Sequence, residues 1–153
     1  MRLKQRQGIA LPFSFLRALA LAGLGALPAS AQNHPTAELS AGMYRIVAEV
    51  VANPAARARG LMHRKHLASN AGMLFIFDDR AIHCMWMRNT LIPLSVAFID
   101  ERGTIVNIAD MEPHSEASHC AAQPVRYALE MNRGWFAARG IQPGARLGGV
   151  PPK

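Results

Sequence analysis

The chain has 153 residues, half of them hydrophobic and 18% charged, with 12 Gly and 10 Pro. That is the size of one domain, too apolar for intrinsic disorder and too poor in Gly and Pro for a low-complexity chain. Two cysteines exclude a disulfide-dense miniprotein, and a formal charge of +7 invites a nucleic-acid reading that depends on where the charge sits.

Much of it sits at the start. Arg2, Lys4, Arg6 and Arg17 come with no acid, and Ala18 to Leu27 follows without a charge or a hydrogen-bonding side chain. Pro28 breaks that run, and Ala29-Ser30-Ala31 supplies the small-x-small pattern of a signal peptidase site. A membrane-spanning helix takes about 20 apolar residues, and this run is shorter. The pattern predicts a cleaved secretory signal over residues 1–31, with an uncleaved anchor as the alternative. The mature chain would start near Gln32, in the periplasm or outside the cell, with no stable membrane span left. It would keep 13 basic residues against 10 acidic ones, a charge of +3. These basic residues form no stripe, so a nucleic-acid partner is not expected.

Residues 32–42 are small and polar and read as a flexible leader, ahead of one domain over 43–148 and a tail over 149–153. Tyr44, Ile46, Ala48 and Val50 share one face of an extended segment while Arg45 and Glu49 point away, as in a strand with one buried face. Asn53-Pro54 then reads as an N-cap followed by proline at the first helical position, opening a short helix towards Met62. Gly60 within it suggests a close approach or an early helix end. Gly72 to Phe77 is apolar on both faces, a buried strand. His83 to Arg88 is a further extended segment. Leu94 to Ile99 and Ile105 to Ile108 are strands joined by Asp100-Glu101-Arg102-Gly103, a hairpin turn. Residues 111–124 form a long loop, Val125 to Met131 returns to strand, and Asn132-Arg133-Gly134 turns it. One helical turn over Trp135 to Arg139 and a short last strand complete the chain. The elements lack a βαβ rhythm and predict a mainly β fold, a compact antiparallel sandwich or partly closed barrel with one or two short helices.

Several strings resemble the domain of unknown function 192 family: Arg57-Ala58-Arg59-Gly60-Leu61-Met62-His63-Arg64, Gly72-Met73-Leu74-Phe75, and Met85-Trp86-Met87-Arg88-Asn89-Thr90-Leu91-Ile92-Pro93-Leu94. Phe98-Ile99-Asp100 and Leu129-Glu130-Met131-Asn132-Arg133-Gly134 extend the likeness, with Arg88 where lysine is common and Ser95 where an acid is common. The resemblance implies a small, mostly β domain, often exported by bacteria. It implies no reaction.

Candidate sites therefore rest on residue chemistry. Trp86 and Arg88, two apart on an extended segment, share a face, and an indole beside a guanidinium suits a sugar or a carboxylate. In the plainer account Trp86 is buried, Arg88 pairs with Glu130 or Asp100, and the Asn89 and Thr90 side chains satisfy loop backbone. Glu130 and Asn132 also share a face. Glu130 or Asp100 could act as a general base beside Arg88 in a hydrolase or transferase, or Glu130 could be the buried counter-ion of Arg88 or Arg59. The sequence leans away from an enzyme, having no serine elbow, phosphate loop or His-Glu-x-x-His string. Export favours a Cys84–Cys120 disulfide, with two unpaired thiols as the alternative. His83, Cys84, His114, Glu116, His119 and Cys120 match no standard metal-site spacing, so neither metal nor cofactor is expected. The functional expectation is an exported domain binding a small polar or carbohydrate-like ligand, or a cell-envelope partner, through Trp86, Arg88, Asn89, Asp100, Glu130 and Asn132. A structural or assembly role in the envelope is the remaining alternative.

Overall fold

Strands form where the chain alternates or runs apolar. In the computed structural model, which describes residues 33–152, they are β1 (Thr36–Ala41), β2 (Tyr44–Val51), β3 (Ala71–Ala81), β4 (Cys84–Met85), β5 (Leu94–Ile99), β6 (Ile105–Met111), β7 (His119–Cys120), β8 (Val125–Asn132) and β9 (Leu147–Gly148). One helix, α1 (Pro54–Arg59), and a 3-10 turn at Ala137–Arg139 complete the set. The secretory signal expected over residues 1–31 lies outside the described residues.

Seven strands form one sheet in the order β6-β5-β8-β3-β2-β1-β9, while β4 and β7 make a separate small ladder. The sheet is mostly antiparallel and curls into a half-barrel. Its two ends approach each other where Thr104 bridges Arg146, the Leu147 amide donates to the Gly103 carbonyl at 2.8 Å, and the Ile105 amide donates to the Ala145 carbonyl at 2.9 Å. The fold is mainly β, a partly closed barrel with little helix.

Two local expectations are corrected. Residues 32–42, read as a flexible leader, contain β1, which pairs along its whole length with β2 and lets Leu39 and Ala41 enter the core. Small polar residues hid a strand whose apolar side chains are few but regularly spaced. The β2–β3 pair is parallel, joined through α1, so one βαβ crossover exists where none was expected. A parallel pair demands such a crossover, because a tight turn cannot bring the chain back to the same end of the sheet.

The central strands are covered on both faces. Ile46, Ala48, Leu74, Ala97, Leu129 and Met131 pack on one side with Trp135 and Phe136. Met73, Phe75, Val96, Phe98 and Ala128 pack on the other, against Ala56 and Leu61 of the crossover and Met87. This double burial explains why Gly72 to Phe77 carries no polar alternation.

Candidate functional site

The second face of the sheet is where chemistry-bearing residues gather. The Asn53 side chain caps α1, accepting from the Ala56 amide at 2.8 Å. The helix ends at Gly60, whose φ of 47° lies in the left-handed region and whose amide donates to the Ala56 carbonyl. A methyl group at Gly60 would stand 3.2 Å from the Phe75 ring, so glycine both turns the chain and lets it lie on that ring. Arg57 fixes the helix to β3, donating to the Ile76 carbonyl at 3.0 Å, to Asp78 at 2.6 Å and to the Ala52 carbonyl.

Opposite α1 runs the segment 84–90. A disulfide joins Cys84 of β4 to Cys120 of β7, directly across the ladder. The Met87 amide donates to the Ser115 carbonyl at 2.9 Å, and the Thr90 carbonyl accepts from the His114 amide at 3.1 Å. The long 111–124 loop thus braces the segment from behind. Between this segment, α1 and the sheet lies a cavity of about 240 Å³, lined by Arg57, Arg59, Met62, Phe75, Phe77, Met85, Trp86, Thr90 and Glu130 among others. His83 stacks on Phe77, with ring centroids 3.7 Å apart.

Glu130 closes one side of the cavity. It follows Ala128 on the same face of β8 and stands opposite Met73 of β3 and Val96 of β5, all apolar. Its exposure is 4%, and it forms no hydrogen bond or ion pair with any described residue. Burial pushes its carboxyl up to about 8, so it is mostly protonated at neutral pH. Thr90 is 5% exposed and lines the same space, and among the described residues its hydroxyl has no partner. Two polar side chains without protein partners therefore face the cavity with their polar atoms still open to it, since among the described residues the sealed side-chain atom without a partner is Arg139 Nε. Arg59 is exposed, borders both this cavity and a second hollow lined by His34, Asn53, Ala55 and Ala56, and forms no ion pair or hydrogen bond with any described residue.

Of the residues expected at a site, Trp86 and Glu130 meet at this cavity. Trp86 is 48% exposed, not buried. Arg88 lies over the indole, its guanidinium carbon 5.7 Å from the ring centroid, but it does not line the cavity. Its ion pair is with Glu116, at 3.7 Å between exposed groups, and not with Glu130 or Asp100. Such a pair contributes little to stability. The expected strand face fails at this point because β4 ends at Met85 and Arg88 and Asn89 form a turn. Asn89 takes φ 57°, and its carbonyl accepts from the His63 amide at 2.9 Å, so its backbone and not its side chain stitches the loop.

Asp100 belongs to the β5–β6 turn, accepting from the Thr104 amide at 2.8 Å and the Arg102 amide at 2.9 Å. Burial acts to raise its carboxyl, but these donors outweigh it and hold the group below its ordinary value. Asn132 donates to the Leu67 and Ala68 carbonyls at 3.0 and 3.1 Å, tying β8 to the segment before β3. Arg88, Asn89, Asp100 and Asn132 are thus not brought to the cavity, and Glu130 is the counter-ion of neither Arg88 nor Arg59. Sequence reasoning missed Thr90, Phe75 and Phe77 as site residues and placed Arg59 only as a pairing partner. No local feature of the sequence marks Arg59, because which sheet face the helix crosses is a long-range outcome. Cys84 and Cys120 are bonded to each other, and no group of three or more His, Cys, Asp or Glu residues placed to share an ion occurs among the described residues.

Fold and cavity together define a small, curled β domain with one helical crossover and an acid-bearing hollow beside it. Residues 37–149 match the DUF192 family, described as "Uncharacterized ACR", and the chain belongs to that family. A crystal structure from Sinorhizobium meliloti 1021, titled a "putative transcription regulator", is similar at 38% identity and a TM-score of 0.70, covering 74% of this chain and 92% of that one. A protein of unknown function from Novosphingobium aromaticivorans DSM 12444 is similar at 32% identity and a TM-score of 0.70, over 80% of this chain and 90% of that one. No curated protein matches.

Proposed function

We propose that this chain is an exported binding protein that holds a small polar ligand in the cavity between α1, β3 and the 84–90 segment. The carrying observation is Glu130, a carboxyl buried without a partner at the cavity wall. Ligand sites characteristically pair an apolar lining with a few convergent polar groups, and perturbed carboxyls concentrate in them. The volume of about 240 Å³ falls under the roughly 300–1,000 Å³ of drug-sized pockets, which favours a ligand of monosaccharide or amino-acid size. The signal-like residues 1–31 and the Cys84–Cys120 disulfide both fit an oxidising compartment. A hydrolase using Glu130 with Arg88 or Asp100 fits less well, because neither of those groups lines the cavity.

The test is an NMR titration of the mature protein with a library of small polar fragments, following the Trp86 indole N–H. At least one fragment should give a saturable shift there, weakened tenfold or more by Glu130→Ala. A library that leaves this resonance unmoved, while shifts appear elsewhere or nowhere, refutes the reading.

A further inference from the structure

The geometry points to a compact organic carboxylate as the ligand: its carboxylate on Arg59 at the rim, its apolar body along Trp86, Phe75, Phe77 and Met85, and an inner oxygen accepting from Glu130 or Thr90. This rests on the proposed binding role and narrows it to a chemical class.

Charge supplies the first argument. The charged side chains of the lining are Arg57, Arg59 and Glu130. Arg57 is committed to Asp78 and two backbone carbonyls, which leaves it compensated. Arg59 has no partner among the described residues, so the mouth carries one uncompensated cation. A guanidinium is a forked donor suited to the two oxygens of a carboxylate. An ammonium ligand would have to pass that cation and would meet in the lining a single carboxyl, which burial holds mostly protonated at neutral pH.

The polar inventory supplies the second argument. Glu130 and Thr90 are the buried side chains with uncommitted polar atoms at this cavity, and both can donate a hydrogen bond. Phe75, Phe77, Met85 and Trp86 offer apolar surface and few acceptors. A sugar would bring several hydroxyls to this lining, and those turned to the aromatic and methionine side chains would lose water without gaining a partner. A molecule with one charged end, an apolar middle and one acceptor fits the set.

Protonation supplies a signature. From α1 the charged groups lining the cavity are Arg57 and Arg59, and neither pairs with Glu130. From β3 they are none, the lining residues there being Phe75 and Phe77, and β5 contributes Val96 in register. In the 84–90 segment Cys84 is bonded in the disulfide and does not titrate. Glu130 is therefore the group at this cavity that changes charge near neutrality, losing its proton as pH rises through about 8. A ligand that accepts from the protonated carboxyl loses affinity above that point, by up to about tenfold per pH unit.

The experiment uses 4-acetylbenzoate, which has a carboxylate at one end and a ketone at the other, with benzylamine and methyl glucoside as comparisons. Calorimetric titrations run from pH 6 to 9.5, and the Trp86 indole resonance reports the place of binding. The expected result is saturable 4-acetylbenzoate binding that weakens above about pH 8, falls at least tenfold in Arg59→Gln, and loses its pH dependence in Glu130→Gln, which keeps a donor but cannot ionise. Preference for benzylamine or methyl glucoside at Trp86 overturns the carboxylate assignment and leaves the binding role standing. Full binding of 4-acetylbenzoate by Arg59→Gln also overturns it. Absence of any Trp86 shift with all three probes, and with the wider fragment library, overturns both.

Discussion

Replacing Glu130 by glutamine isolates the physical cost of the buried acid. In the fold its carboxyl holds a proton up to about pH 8, against an ordinary value of 4.5. Between those limits the folded chain binds one more proton than the unfolded chain at this residue. Stability from this group is then fully present below about 4.5 and falls as pH rises, by roughly 1.4 kcal/mol per pH unit, until the folded carboxyl ionises near 8. From pH 5.5 to pH 7.5 the loss is on the order of 3 kcal/mol, and at 4% exposure solvent screening takes little from it. Glu130→Gln keeps the shape and removes the titration. Urea unfolding of both proteins at several pH values, followed by tryptophan fluorescence, measures the difference directly. All other carboxylates are shared, so the gap between the two curves should widen with pH in favour of the variant. Parallel curves would show that Glu130 is ionised and solvated or paired in solution, and the argument for an unsatisfied acid would fail.

Further outcomes follow from the same contacts. Replacing Cys84 and Cys120 by serine should cost about 4 kcal/mol in the chain-entropy account for a separation of 36 residues. It should also shift Trp86 emission to the red as the 84–90 segment loosens, whereas an unchanged melting temperature would show that the bridge constrains nothing. Ser95→Ala removes an acceptor from the Gly134 amide, bonded at 2.8 Å, and a donor to Asp110, so a loss of about 1–3 kcal/mol is expected in urea unfolding. Gly72→Ala would place a methyl 2.7 Å from the Glu130 carbonyl and 2.4 Å from the Met131 sulfur. Backbone crowding of that kind should cost several kcal/mol or prevent soluble expression, and a well-folded variant would contradict the register of β3 on β8. If residues 1–31 are a secretory signal, mass spectrometry of the exported protein should place its first residue near Gln32.

The elements were legible where local chemistry is strong. Asn53-Pro54 marks the start of α1, the alternation of Tyr44 to Val50 marks β2, and the unbroken apolar run from Gly72 marks a strand covered on both faces. What could not be read was pairing. Nothing in β2 or β3 alone says that they run parallel; that follows from α1 carrying the chain back to the same end of the sheet, a long-range outcome. The candidate site was legible in part for the same reason. Trp86 and Glu130 stand out by type, an aromatic in a polar string and an acid inside an apolar strand. Arg88 follows Trp86 by two residues and was assigned its face, but the strand ends at Met85 and the turn sends the guanidinium over the indole. Thr90 and Arg59 carry no signal of their own, because a threonine in a loop and an arginine at a helix end are ordinary. Only the sheet face they share makes them neighbours.

The position of Glu130 bears on whether the cavity is more than a packing fault. A fault would be lined by apolar atoms and stay dry, as genuinely empty cavities do. This one receives a carboxyl from β8, a hydroxyl from Thr90 and a guanidinium from Arg59, three groups delivered by three separate parts of the chain. The first two have no partner among the described residues, and the backbone bonding of β8 does not call on them, since its amides and carbonyls pair with β3 and β5. An apolar residue at position 130 would continue the face of Met73, Val96 and Ala128 and avoid the desolvation of an acid. The scaffold therefore bears a cost at this residue that its own folding does not repay. Sites where local consistency is broken in this way, with the rest of the fold in agreement, are where function is expected to reside.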